Sequence, residues 1–211
     1  SDSQPNIDLA LDAIGRFKMD KFRDPIISLI NDQTPDQTLK LALKALEINP
    51  KASQEVFMQI VQNKKLSFEV RAAALNSLSK ASPVEGERFL LTWLPELKAT
   101  EKTELVSILS GSRQSAAVLM NVYGQKGLDL SAFNLSSAER IVNTHKSDPR
   151  SQTIIEGVKK REEEKKKAFE GDLSRYMAIA KKNGGNPAER KILFQTSQNF
   201  NTTKIDPFFQ I

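Results

Sequence analysis

The strongest constraint on this chain is a helical apolar spacing that returns at a nearly constant interval. In TLKLALKALEINP, Leu39, Ala42, Leu43 and Leu46 fall three and four residues apart, one apolar stripe on a helix, and Pro50 follows as a stop signal. FEVRAAALNSLSKASP repeats the pattern with Val70, Ala73, Ala74, Leu75 and Leu78 ahead of Pro83, and KTELVSILSGS repeats it with Leu105, Ile108 and Leu109 ahead of Gly111. Leu46, Leu78 and Leu109 hold corresponding places, with separations of 32 and 31 residues. Second helices lie between them: ASQEVFMQIVQN with Val56, Ile60 and Val61, EGERFLLTWL with Phe89, Leu90, Trp93 and Leu94, and RQSAAVLMNVYG with Ala116, Leu119, Met120 and Tyr123. Upstream, NIDLALDAIGRF and DPIISLIN supply a leading pair, and Pro35 in the Thr34–Asp36 turn favours a helix start. A helix pair that cannot bury its apolar face alone, repeated about every 30 residues, predicts an α-solenoid in which stacked pairs share one core. No segment sustains the alternation of a strand, so the expected fold class is all-α.

Composition removes several kinds of chemistry. The 211 residues include no cysteine and a single histidine, His145. Disulfides, thiolate catalysis and cysteine-ligated metal clusters are therefore excluded. One histidine does not make a zinc site or a catalytic triad without unusual partners. Apolar residues at 39% and charged residues at 27% suit a globular chain. No run of 18 apolar residues is present, so no transmembrane helix is expected. The opening SDSQPNIDLA has neither a basic n-region nor an apolar h-region. The expectation is a cytoplasmic chain, or one that begins after a removed export signal.

The character changes after Pro149. Residues 157–191 carry eleven Lys or Arg against six Asp or Glu, which equals the net charge of +5 of the whole chain. Glu162 with Lys166 and Glu163 with Lys167 pair at i,i+4, supporting a helix without a broad buried face. Gly157 and Gly171 each weaken that helix by about 1 kcal/mol relative to alanine. A long, partly exposed helix is expected, broken near Gly171, with a second amphipathic piece through Tyr176 and Ile179. NGGNP is a stop, and PAERKILFQT starts another helix at Pro187.

Two stretches carry a family resemblance. GGNPAERKILFQTSQNFNTT resembles the first helix of a cytochrome c domain and its attachment loop. The region LSGSRQSAAVLMNVYGQKGLDLSAFNLSSAERIVNTHKSDPRSQ is similar to the end of a HEAT-repeat segment, with His145, Asp148 and Pro149 matching a His-x-x-Asp-Pro stretch. Together, over roughly residues 35–203, they resemble the large haem-binding, membrane-associated dehydrogenases of planctomycetes and verrucomicrobia. The departures are chemical. Ser197 and Phe200 stand where two cysteines would form thioethers, Asn201 stands in place of the iron-binding histidine, and Arg190 replaces a glycine. The resemblance thus implies the position of a haem site without its ligands, and no cofactor is expected.

The remaining features have plainer readings. His145 lies in the polar turn NTHKSDP and reads as a helix-end residue before a ligand. Trp93 and Tyr123 fall at core spacing and read as packing residues. NGGNP lacks the lysine of a phosphate loop, and Asp24 with Asp32 shows no spacing that would set one carboxyl against another. The DPFFQI tail offers apolar side chains to the solenoid or to a partner chain.

The expected organisation is a HEAT-like solenoid over residues 1–149, charged connecting helices over 150–185, and a cytochrome-like remnant over 186–211. The expected function is non-catalytic, a scaffold or protein-interaction segment with a protein partner. By resemblance it would sit in the periplasm or at the envelope and hold redox domains. Two alternatives stand beside it. One is a fragment of a c-type haem electron-transfer protein. The other is a nucleic-acid binder whose Lys159, Lys160, Arg161, Lys165, Lys166, Lys167, Lys181 and Lys182 converge on one surface. Interleaved glutamates and the lack of alternating aromatics argue for a solvated helix face instead.

Overall fold

The structure, a computed structural model, describes residues 4–182. The described residues form ten α-helices and no strand, so the chain is all-α. They are α1 (Gln4–Phe17), α2 (Arg23–Ser28), α3 (Asp36–Leu46), α4 (Gln54–Gln62), α5 (Phe68–Ala81), α6 (Pro83–Trp93), α7 (Ala99–Leu109), α8 (Arg113–Val122), α9 (Leu135–Thr144) and α10 (Pro149–Lys182). Short 3-10 turns occupy Asp20–Phe22, Leu94–Glu96 and Leu130–Ala132.

Local chemistry explains the boundaries. Ser67, Ser82, Ser112 and Asn134 each accept a backbone N–H from the first turn of the helix they precede. Pro83, expected as a stop, is also the first residue of α6, where the missing N–H costs nothing. Ser82 therefore closes α5 and opens α6 in a single residue.

The chain divides between Lys159 and Lys160 into two units. In the first, α5 is the hub and packs against α3, α4, α6, α7 and α8. Further contacts join α1 to α3, α6 to α8, and α7 to both α8 and α9. Leu46, Leu78 and Leu109, the corresponding leucines of the sequence pattern, are all buried.

A single-stripe description fails for α5. Ala72, Ser77, Ser79 and Ala81 are buried there together with Val70, Ala74, Leu75 and Leu78, while Ala73 is half-buried. A helix with neighbours on several sides has no solvent face to reserve for polar residues. Serines survive in this setting because their hydroxyls are satisfied. Ser79 Oγ donates to the Leu75 carbonyl at 2.8 Å, and Ser77 Oγ to Glu47 Oε1 at 2.7 Å. Similarly, α4 buries Phe57 completely and leaves half-buried Val56, one of the apolar positions that its spacing picks out.

The first compact unit extends past Pro149. Ile154, Ile155 and Val158 in the first turns of α10 belong to the same buried core. Gly157 matters there for space. A Cβ on it would lie 2.6 Å from Leu130 Cδ1, so the glycine that weakens the helix also admits a close approach.

In the second unit, α10 continues without the break expected at Gly171. One glycine costs a helix about 1 kcal/mol, and neighbouring charge pairs offset part of that. Lys165 Nζ and Arg161 Nη2 lie 3.1 and 3.0 Å from Glu162 Oε1, and Lys166 Nζ lies 3.9 Å from Glu170. The hydrogen bond from Lys165, and then that from Arg161, holds the Glu162 carboxyl below its ordinary range. The helix expected at Pro187, the NGGNP stop, the 186–211 remnant and the DPFFQI tail lie outside the described residues.

Candidate binding groove

Three helix ends meet on the first unit. α4 stops at Gln62, α5 starts at Phe68, and α6 runs into the Leu94–Glu96 turn after Trp93. Their meeting leaves a cavity of about 250 Å³ whose lining includes Lys64, Arg71, Arg88, Phe89, Trp93 and Glu96.

Arg71 organises this groove. Its Nε–H donates at 2.9 Å to the carbonyl of Val61, one of the last-turn carbonyls that α4 cannot satisfy itself. Its guanidinium carbon stands 4.4 Å from the centroid of the Trp93 ring. Such stacking contributes about 0.5–2 kcal/mol and leaves the guanidinium edge exposed to other partners. Phe68 supports Trp93 from α5, with centroids 5.5 Å apart and rings tilted by 48°. The terminal nitrogens of Arg71 make no hydrogen bond among the described residues.

The other two cations of the lining are engaged. Arg88 donates from Nε and Nη2 to Glu85 Oε2 at 2.8 and 2.5 Å while lying 4.6 Å over Phe89. Lys64 Nζ is 3.4 Å from Glu96 Oε2. Burial lowers the pKa of Arg71 from its ordinary value, and the charge of Glu96 acts in the opposite sense. A guanidinium stays protonated at neutral pH under either influence. The groove offers positive charge, hydrogen-bond donors and aromatic surface.

The residues singled out from the sequence fall elsewhere, except Trp93. Trp93 is 6% exposed, so it packs in the core and still presents part of its ring to the groove. Tyr123 meets Phe133 edge-on at 5.8 Å, a packing role. His145 follows α9, and its Nε2 lies 2.8 Å from the carbonyl of Arg113. Asp148 and Arg150 form a bridge at 2.6 Å, and Arg150 Nη1 reaches Asn121 Oδ1 at 2.8 Å, tying the start of α10 to α8. Hydrogen bonds from the Arg150 side chain and backbone hold the Asp148 carboxyl down at about 2.

Among the proposed basic positions, Lys159, Lys160, Arg161, Lys165, Lys166 and Lys167 all ride on α10. A rotation of about 100° per residue turns Lys165, Lys166 and Lys167 in three directions rather than onto one face. Lys181 and Lys182 belong to the same helix, but their side chains lie outside the described residues, as do Ser197, Phe200 and Asn201. Sequence reasoning missed Arg71 as a candidate. It sits beside the apolar stripe of α5 as an ordinary flanking cation, and no motif connects it to Trp93, 22 residues downstream.

No family model, curated protein or solved structure matches this chain.

Proposed function

We propose that the chain is a non-catalytic helical-repeat scaffold that binds a protein partner. The observation that carries this reading is the packing order of the first unit, in which α5 touches α3, α4, α6, α7 and α8. Contacts from α5 to helices on either side of it in the chain support a stack of helix pairs sharing one interior, whose outer faces would receive a partner. The cavity at the ends of α4, α5 and α6 is a place for such contact.

Photo-crosslinking in cells tests the reading. A photoreactive residue at Thr92 on the groove rim should yield a discrete protein adduct, and one at exposed Glu139 on α9 should not. Absence of any protein adduct from the groove rim would defeat the scaffold reading. The haem-free character proposed for positions 197–201 has its own test, because covalently attached haem would give the purified protein a Soret band. A periplasmic or envelope location belongs to the same proposal, and fractionation of the native host checks it. No helix among the described residues is long and apolar enough to cross a membrane.

A further inference from the structure

We propose that the Arg71 groove is a carboxylate-binding subsite that receives an acidic side chain of an extended peptide segment from the partner. The inference rests on the scaffold reading and adds the chemistry of what is bound. Four observations carry it. Arg71 is fixed twice, by the Nε–H bond to Val61 and by stacking on Trp93. Its terminal nitrogens are left without a partner among the described residues. It opens on a cavity of about 250 Å³, room for a side chain and its neighbouring peptide groups. The floor beside it is aromatic, from Trp93 and Phe89.

An arginine held in this way has already lost most of the side-chain freedom that binding would remove. Its planar fork matches the two oxygens of a carboxylate. Such charge-assisted pairs are shorter and stronger than neutral hydrogen bonds. The lining also selects among anions. Arg88 is neutralised by Glu85, Lys64 by Glu96, and Glu96 itself faces the cavity. One open guanidinium beside a carboxylate suits a monoanion and repels a phosphate dianion. The aromatic surface next to the fork adds a place for an apolar residue adjoining the acidic one.

Trp93 is the sole tryptophan of the chain and lies in the lining, so its emission reports occupancy directly. The experiment titrates the full chain with two libraries of acetylated hexapeptide amides, one with a fixed central Glu and one with Gln at that position. Phosphoserine peptides and inorganic phosphate form separate arms. The expected result is a Trp93 emission change with the Glu library at concentrations at least about tenfold below those needed for Gln, as a hydrogen-bonded charge warrants. Arg71→Lys keeps the charge and loses the fork, and should weaken the Glu response by about tenfold; it also loses the Val61 bond and the stacking, so the comparison is made at a temperature where circular dichroism shows both chains folded. Glu96→Gln, at an exposed position, should strengthen it about two- to fivefold.

Equal responses to Glu and Gln overturn the proposal, as does an unchanged Glu96→Gln affinity. A stronger response to phosphate or phosphoserine also overturns it and assigns the groove to phosphate. A partner crosslinked through Thr92 but indifferent to Glu defeats this inference alone, whereas no adduct at all defeats the scaffold reading beneath it.

Discussion

Gly86 shows how much one hydrogen atom can decide. A Cβ there would stand 2.5 Å from Ser79 Oγ and 2.9 Å from Ser79 Cα, so α6 meets α5 at a distance only glycine permits. Alanine would gain about 1 kcal/mol of helix propensity. It would lose about 1–3 kcal/mol by forcing two backbones apart, because a main-chain atom cannot swing away. Gly86→Ala is expected to lower stability in urea denaturation. Asp148 gives a second test at this scale. Its carboxyl lies at about 2 in the folded chain against an ordinary 3.8, chiefly through hydrogen bonds from Arg150. A lowered pKa stabilises the fold above about 3.8, and that contribution fades as pH falls toward about 2. A carbon-13 carboxyl titration by NMR should find Asp148 titrating near that value, and Arg150→Met should return it toward 3.8. Residues such as Leu78 were legible in the sequence because apolar spacing names them. The closeness of Gly86 to Ser79 was not, since spacing along a helix says nothing of what faces it.

Among elements, α5 and α10 mark the reach of pattern reading. The apolar period announced α5 and the i,i+4 charge pairs announced α10, and the serine caps explain why α5 begins after Ser67 and ends at Ser82. The second and third sides of α5 were invisible, because alanine and serine carry no strong signal until a neighbour covers them. For α10 the error was local. Gly171 was expected to break a helix that in fact continues to Lys182. A Cβ at Gly171 would meet no atom within 4 Å, so no packing offsets the cost of glycine there. Gly171→Ala should therefore favour the helix by about 1 kcal/mol, the opposite outcome to Gly86→Ala. Slower amide exchange at Asp172 and Leu173 would show it.

At the scale of the molecule, the buried residues of the first unit run from Leu11 to Val158. That unit holds its own hydrophobic core, the requirement for independent folding. A chain ended after Lys159 should keep a cooperative thermal transition followed by circular dichroism, at a melting temperature close to that of the full chain. Ending it after Pro149 should lower that temperature, because Ile154, Ile155 and Val158 leave the core. By itself, the sequence determined that the described residues are all-α, that helices stand where α1 to α8 do, and that cysteine chemistry is closed to the chain. Those properties follow from local spacing, caps and composition, which act within a few residues of chain. Only the tertiary structure decided which small residues α5 buries, how far α10 shares the core, and that Arg71 stacks on Trp93 above an open groove. Each of those depends on residues brought together from different helices, and their meeting is set by packing that no local pattern encodes.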